Sequence, residues 1–583
     1  MLFPMSTSNQ PSPVRNSQNN QTGRLIQEIL ALIVVLLAFL LPRIFSLATF
    51  VTPDEHLWLS RSANFYMALA QRDFVSTYKK ATPGVTIMWA GTASFLILFP
   101  EYRGSALGQV DNAVVHNYIN KNAKDITTPL DLLQGARIFI VLGNTFVLTL
   151  AYLYARRLIG LLPALIGFLL IAFDPFHLAL SRLLHTDGSL SNLLLLSLLA
   201  FVNFIKDRKP LDLVISGVTA GLSWLTKSPG VFLVPVVGLL ALIQMWRTYP
   251  SRSGQSPNLI RHIWDNTWPL IAWGMVGLLI FVALWPAMWV NPINSVLSIF
   301  GSIQRLAEGG HYAGIFYYGT AGRQVNPAFF YPVTYLWRTT PIVVLGLLSA
   351  GWGLLKNQKP FNQEGARLTL LVIFLTVIVF TIGMSMGLKK LDRYLLPAYA
   401  PLDIIAGMGW AALFFWIREH KIPLVSKYVA YLMLALVIGT QMFLSLSKFP
   451  YYFSYYNPLM GGGEKAPGAM QVGWGEGLDQ AAQYLNEKPD AKRLHVMSWY
   501  PIGSFSYYFK GHTEYMTSPY VVTDSMWNEF LSSDYAVIYV NQWQRNLHNK
   551  ILDYLSQQEP EKRIWIDGIE YVRIYNLTER GIK

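Results

Sequence analysis

The sequence predicts an all-α polytopic membrane bundle of about 11-13 transmembrane helices, followed by a C-terminal extracytoplasmic α/β domain. Three observations predict it. Of the 583 residues, 52% are hydrophobic and only 14% charged, where a soluble chain carries roughly 25% charged residues. Apolar runs approaching the length of a membrane span recur as far as residue 446. After residue 447 the pattern changes to short strands alternating with amphipathic helices.

Residues 1–23 are rich in Ser, Asn, Gln and Pro and read as a disordered cytoplasmic tail. The run 26–50 is too long for a signal-peptide core and has no clear cleavage site, so it reads as a retained helix. Further candidate spans lie at 83–100, 136–155, 161–177, 189–205, 211–225, 229–246, 267–288, 338–356, 367–387, 393–417 and 426–446. Basic clusters fall at every second connection, as cytoplasmic loops require: Arg156-Arg157; Lys206, Arg208 and Lys209; Arg247, Arg252 and Arg261; Lys356, Lys359 and Arg367; Arg418, Lys421 and Lys427. This orientation makes 24–447 a plasma-membrane module with a first outer loop at 51–82 and a large outer loop at 289–337. Residues 448–583 then form an extracytoplasmic domain. Parity makes 83–100 short or re-entrant, because the loop 101–134 carries Glu101, Asp111, Asp125 and Asp131 and does not look cytoplasmic.

The net charge of +13 fits basic cytoplasmic loops and contact with anionic lipid, not nucleic acid. The absence of cysteine excludes disulfides and thiolate metal sites. In the C-terminal part, strands are expected at 493–499, 503–509, 536–540 and 564–575, with helices at 478–488, 524–531 and 545–556. No nucleotide-binding loop is present there. The joint at 451–458 is aromatic and is expected to rest on the outer leaflet. Asn576-Leu577-Thr578 matches a glycosylation triplet that also arises by chance.

Acids beside lipid are costly and usually have a task. Asp54 and Glu55 stand directly after the first apolar run. The bland reading is a helix N-terminus, with Asp54 as cap. Arg61, seven residues on, shares a helix face with Asp54. A second group is Arg182, His185 and Asp187, between two spans on the same outer side; Asp187 too could be no more than a cap. Lys227 breaks two apolar runs and could snorkel or bind phosphate. The outer loop carries Arg305, His311 and Tyr317 among many aromatics. Lys389, Lys390 and Arg393 put three cations at an outward helix end, against the usual charge bias, and so suggest a bound anion. Together these outer residues offer an acid for a hydroxyl, cations for a phosphate and apolar walls for a lipid chain.

In this order and spacing the motifs resemble the GT-C-fold glycosyltransferases of the protein O-mannosyltransferase type (glycosyltransferase family 39) and the related lipid A aminoarabinose transferases. The resemblance covers roughly 24–460. It rests on Asp54-Glu55, Thr82-Pro83-Gly84-Val85, Ser181-Arg182 with Asp187, Leu225-Thr226-Lys227, Gln304-Arg305 with His311 and Tyr317-Tyr318, and Lys390 to Pro397. Pro450 to Gly477, with Gly473-Trp474-Gly475-Glu476-Gly477, looks like bacterial members of unassigned acceptor. The chain departs from the family at Thr82, where members often carry His, and it has no β-trefoil insertion.

The resemblance implies an inverting sugar transfer from a polyprenyl-phosphate carrier to a hydroxyl of a protein, lipid or glycan acceptor. In that reading Asp54 is the base, with Glu55 and Asp187 in support. Arg61, Lys227, Lys390 and Arg393 hold the donor phosphate, while Arg182, His185, Arg305, His311 and Tyr317 form the substrate loop. No cofactor is certain; a divalent metal at His311 with a carboxylate stays open. A lipid-linked-sugar flippase and a polysaccharide ligase are the rival readings.

Overall fold

The computed structural model describes residues 13–104, 128–249, 259–323, 325, 327–419 and 423–578. Most of the expected N-terminal tail, the acids Asp111 and Asp125, and the basic residues Arg252 and Lys421 lie outside them.

Among the described residues eight helices are long and apolar enough to cross a membrane, or up to nine if the bent pair Phe330–Arg338 and Pro341–Leu355 forms one span. The higher expected number includes shorter apolar helices. Val85–Leu98 has 14 residues, which is ~21 Å of helix against a hydrocarbon core of about 30 Å. It packs between Glu55–Ala70 and Pro129–Ile159. Leu161–Ala172, with 12 residues, is shorter still and lies against Leu396–Arg418.

The spans are not equivalent. Thr186–Asp207 is 94% buried over its apolar window and Asp392–Arg418 72%, whereas most of the others are a third buried or less. These two therefore form the axis of the bundle, and the rest present Leu, Ile and Phe outward, as lipid requires. Their N-terminal ends carry Asp187 and Arg393. A charged group at the end of such a packed helix has little freedom to move.

The C-terminal part is a mixed five-stranded sheet, in the order β4-β3-β5-β7-β6. The strands are β3 (His495–Ser498), β4 (His512–Tyr515), β5 (Tyr535–Tyr539), β6 (Lys562–Ile566) and β7 (Ile569–Asn576). Two shorter strands, β1 (Ile315–Tyr317) and β2 (Thr320–Gly322), make a hairpin in the large outer loop. Alternation along β5 sends Val537 to one face of the sheet, against Leu478–Asn486, and Ala536 and Ile538 to the other, against Asp524–Ser532 and Asn549–Ser556. The expected strand at 564–575 is in fact a hairpin, because Asp567 and Gly568 both take positive φ and turn the chain. The expected strand at 503–509 is instead a kinked helical turn, Pro501–Phe505, and the strand follows at β4.

The aromatic joint differs from expectation. Tyr452, Phe453, Tyr455 and Tyr456 are buried inside the protein and do not face the leaflet. Arg338 holds them there: its guanidinium donates to the carbonyls of Phe453 (2.8 Å) and Tyr455 (3.1 Å) and pairs with Asp392 (2.7 Å). Tyr452 donates to the carbonyl of Pro42 at 3.1 Å. Backbone carbonyls and a buried cation near lipid need partners, and the joint supplies them. The domain is thereby fastened over the N-terminal ends of the axial helices.

Candidate active site

The site begins where the first helix ends. Asp54 occupies the N-cap position of Glu55–Ala70, but its side chain makes no cap hydrogen bond. Its carboxylate instead meets Arg393 Nη2 at 3.1 Å and His185 Nε2 at 3.5 Å. Asp187 is not a cap either. His185 caps the helix Thr186–Asp207, its Nδ1 accepting from the Asp187 amide. Asp187 sits in the first turn, where the helix dipole favours an anion. Its Oδ1 accepts from Lys227 Nζ at 2.5 Å, and its Oδ2 lies 3.3 Å from His185 Nδ1 and 3.4 Å from Arg393 Nε. Arg393 thus lies against both carboxylates, while His185 meets Asp54 through Nε2 and caps the helix through Nδ1.

The segment carrying Arg182, His185 and Asp187 is held rigidly. Arg43 donates to Ser181 Oγ at 2.7 Å and Asn144 to the Ser181 carbonyl at 2.8 Å. Gly188 lets the next helix close in, since a Cβ there would lie 2.6 Å from the carbonyl oxygen of Leu180. Two other motifs also meet: the Gly84 amide donates to the Thr226 carbonyl at 3.1 Å, just before Lys227.

Burial alone would push the Asp54 carboxyl up. The hydrogen bond from His185 and the charge of Arg393 outweigh it and hold Asp54 well below the usual carboxylate range. Its side chain is 35% exposed, against 3% for Asp187. Asp54 is therefore ionised, and it is the reachable member of the pair. It opens on a partly enclosed cavity of about 210 Å³, lined also by His311, Lys390, Arg393 and Trp474. Trp474 closes one side, with the Arg393 guanidinium 4.1 Å from its ring centre and the His185 ring at 5.0 Å. Gly475 (φ +113°) allows this approach, since a Cβ there would meet the carbonyl oxygen of Val51 at 2.4 Å. Burial and the neighbouring cations Arg545, Lys389 and Arg393 push the His311 imidazole down to about 3, so it is neutral at ordinary pH.

Several candidates make contacts other than those expected. Glu55 faces away from Asp54. Arg137 donates to both its oxygens (2.7 and 2.5 Å), as do the amides of Leu184 (2.9 Å) and Thr52 (3.0 Å), and Glu55 is fully buried. Its acceptor capacity is filled by these contacts, which tie the loop before it to Arg137 and Leu184. Arg61 makes no ion pair with Asp54 among the described residues; its guanidinium lies 4.6 Å from the Trp58 ring centre. Arg182 donates to the Phe45 and Ser46 carbonyls and covers Tyr452, so it secures the end of the first helix and not a substrate. Arg305 is exposed on the amphipathic helix Pro292–Glu308. Tyr317 packs on Phe330 and Tyr318 and lines a separate groove. Lys390 donates to the Pro327 carbonyl at 3.3 Å.

Other residues of the site were missed from the sequence. Lys80 lies 5.7 Å from the Trp58 ring centre, in the field of Arg61, Asp54, Lys389 and Lys227. It carries the same signal as Lys389-Lys390, a paired lysine on an outer loop. Trp474, Trp499, Tyr500 and Arg545 come to the cavity from the C-terminal domain. Of these only Trp474 had a signal, the glycine-rich stretch around it.

Among the described residues no group of three or more His, Asp or Glu is arranged to hold a metal ion.

Residues 111–255 match the family described as dolichyl-phosphate-mannose-protein mannosyltransferase. The matched stretch carries Arg182, His185, Asp187 and Lys227, and it gives the chain's class: a membrane glycosyltransferase. Among solved structures, ArnT from Cupriavidus metallidurans bound to undecaprenyl phosphate is similar at 14% identity and TM-score 0.46, over 95% of this chain and 99% of that one. The oligosaccharyltransferase AglB from Archaeoglobus fulgidus, in complex with an inhibitory peptide and a dolichol-phosphate, aligns at 12% identity and TM-score 0.45, over 88% of this chain and 69% of that one. The S. cerevisiae Pmt1-Pmt2 complex bound to its sugar donor aligns at 17% identity and TM-score 0.34, over 46% of this chain and 34% of that one. No curated protein sequence matches the chain.

Proposed function

We propose that the chain transfers a sugar from a polyprenyl-phosphate carrier to an acceptor hydroxyl at the outer face of the plasma membrane, with inversion, and that Asp54 is the base. The acceptor oxygen bonds to the anomeric carbon as that carbon's bond to the phosphate oxygen breaks. The hydroxyl proton passes to Asp54, and the bonding electron pair leaves with the carrier phosphate. The observation that carries this reading is the state of Asp54: ionised, not spent on its helix, and open to the cavity. A base needs charge and access together.

The cations complete the reading. Arg61, Lys80 and Lys389 make no ion pair among the described residues and crowd the same region. Such cations are destabilising until an anion arrives, and they are set where charge grows on the departing phosphate. Lys227 holds Asp187, which with His185 and Arg393 keeps Asp54 in place. The basic loops support an orientation with the catalytic face and residues 448–583 outside the cell, over a bundle of residues 24–447. Acceptors of this chemistry are hydroxyls of protein, lipid or glycan.

The test uses the full chain in lipid nanodiscs with a labelled polyprenyl-phosphate sugar. Asp54→Asn is expected to lower transfer by about 10²–10⁴-fold, the range of a lost general base, with carrier-lipid binding retained. Transfer at the wild-type rate would remove Asp54 as base. Movement of the donor across the membrane without transfer would favour a flippase.

A further inference from the structure

The C-terminal domain supplies a wall of the Asp54 cavity whose chemistry no part of the mechanism above uses. Trp499 and Tyr500 follow β3, Tyr515 ends β4, and Arg545 ends the helix Val540–Arg545; all four line the cavity with Asp54. Trp499 is the centre of this wall. Its ring stacks on Tyr515 at 6.1 Å and 25° and lies 5.6 Å from Tyr500. Trp499 is only 5% exposed, yet its indole N–H has no hydrogen-bond partner. A buried donor left unpaired costs free energy, which an acceptor atom brought close to the ring edge by a ligand would relieve. Gln471 adds an unpartnered side-chain carbonyl on the same lining.

From this we infer that the domain forms the acceptor subsite and that the acceptor is a carbohydrate. The inference rests on the transferase reading and extends it. Inverting displacement brings the acceptor to the face of the donor sugar opposite the leaving phosphate. Arg61, Lys80 and Lys389 belong to the bundle and its loops, whereas Trp499, Tyr500 and Tyr515 belong to this domain, which leaves this wall for the acceptor. A sugar ring presents a C–H face and a rim of hydroxyls. A wall of aromatic planes with N–H, O–H and amide groups at its edges matches both. An extended peptide would instead pair with a free strand edge. Of the strands at the cavity, β4 reaches it only at Tyr515, and β1, which brings Ile315 and Phe316, is already paired with β2 and bridged to Met470 through Tyr317. The acids on the lining are Asp54 and Asp392, and Asp392 is held by Arg338.

The experiment labels native acceptor. Membranes from a deletion strain, complemented with wild type, Trp499→Ala or Trp499→Phe, receive a labelled polyprenyl-phosphate sugar, and the linkage of the label is determined. Carrier-lipid binding by each purified full chain is measured by native mass spectrometry. Wild type is expected to place the label on another sugar, in a product resistant to proteinase. Trp499→Ala should lower incorporation by about tenfold or more, and Trp499→Phe, which keeps the plane but loses the N–H, should fall between wild type and Trp499→Ala; carrier binding should be equal in all three. Label attached to Ser or Thr of a protein would overturn the inference in favour of a peptide acceptor. Unchanged incorporation by Trp499→Ala, or loss of its carrier binding, would overturn the subsite while leaving the transferase reading intact. No incorporation by wild type would instead bring down the transferase reading, and the acceptor subsite with it.

Discussion

Two charged regions begin at adjacent residues and end in opposite conditions. The clamp around Glu55 is closed: both oxygens are taken by Arg137 and backbone amides, and nothing is exposed. The network around Asp54 is open: one carboxylate faces the cavity, and Asp187 Oδ2 and Arg393 Nε, 3.4 Å apart, lack a well-formed hydrogen bond. Residue type does not separate them, since both pair an acid with an arginine. Unused hydrogen-bonding capacity does. A site that must grip a transient charge keeps some capacity in reserve, while a clamp that must hold loops together uses all of it.

The comparison can be broken most forcefully at the clamp. Removing one partner of a buried ion pair leaves the other uncompensated, at a cost of about 3–5 kcal/mol. Glu55→Ala should therefore unfold at markedly lower temperature in nanodiscs and bind the carrier lipid poorly, because the loop 47–52, Arg137 and the Leu184 amide lose their common anchor. If Glu55→Ala kept its thermal stability but lost transfer, Glu55 would belong with the chemistry and the contrast would collapse.

How much of this was legible in the chain follows from the same contrast. The bundle was legible, because lipid imposes long apolar runs and basic cytoplasmic loops that survive in the sequence. Asp54, Asp187, Lys227 and Arg393 were legible as charges at outer helix ends. The direction of each charge was not. Glu55 and Arg182 looked equally eligible, and only tertiary contacts to Arg137 and to the Phe45 carbonyl decide against them. The C-terminal wall was hidden for another reason. Trp499 and Arg545 reach the cavity through a sheet order in which β3 lies between β4 and β5, and no local pattern encodes that juxtaposition. The buried joint misled because Tyr and Phe serve an interfacial belt and an internal plug equally well.

A smaller effect sharpens the open half. Asp54 has a depressed pKa, so it is ionised above that value, and its contribution is lost as the pH falls through it. Burial opposes ionisation, and the His185 hydrogen bond is the largest influence against it, followed by Arg393. His185→Ala should raise the Asp54 pKa, so that transfer fails at a higher pH on the acid side while the rate near neutrality falls less. The pH profile of transfer checks this. An acid limb that stays in place would mean that Arg393 alone sets the charge.

The smallest expected effect lies outside both regions. Arg305 is exposed on Pro292–Glu308, whose residues Ile293, Leu297 and Phe300 form an exposed apolar stripe. That pattern suits a helix lying in the membrane surface. Arg305→Ala should change stability by no more than about 0.5 kcal/mol and leave the transfer rate near that of wild type. A large loss of transfer with unchanged melting would be informative. The charge would then act only with substrate present, and the outer loop 289–337 would have to move toward the cavity during turnover, making the open network a site completed by its own lid.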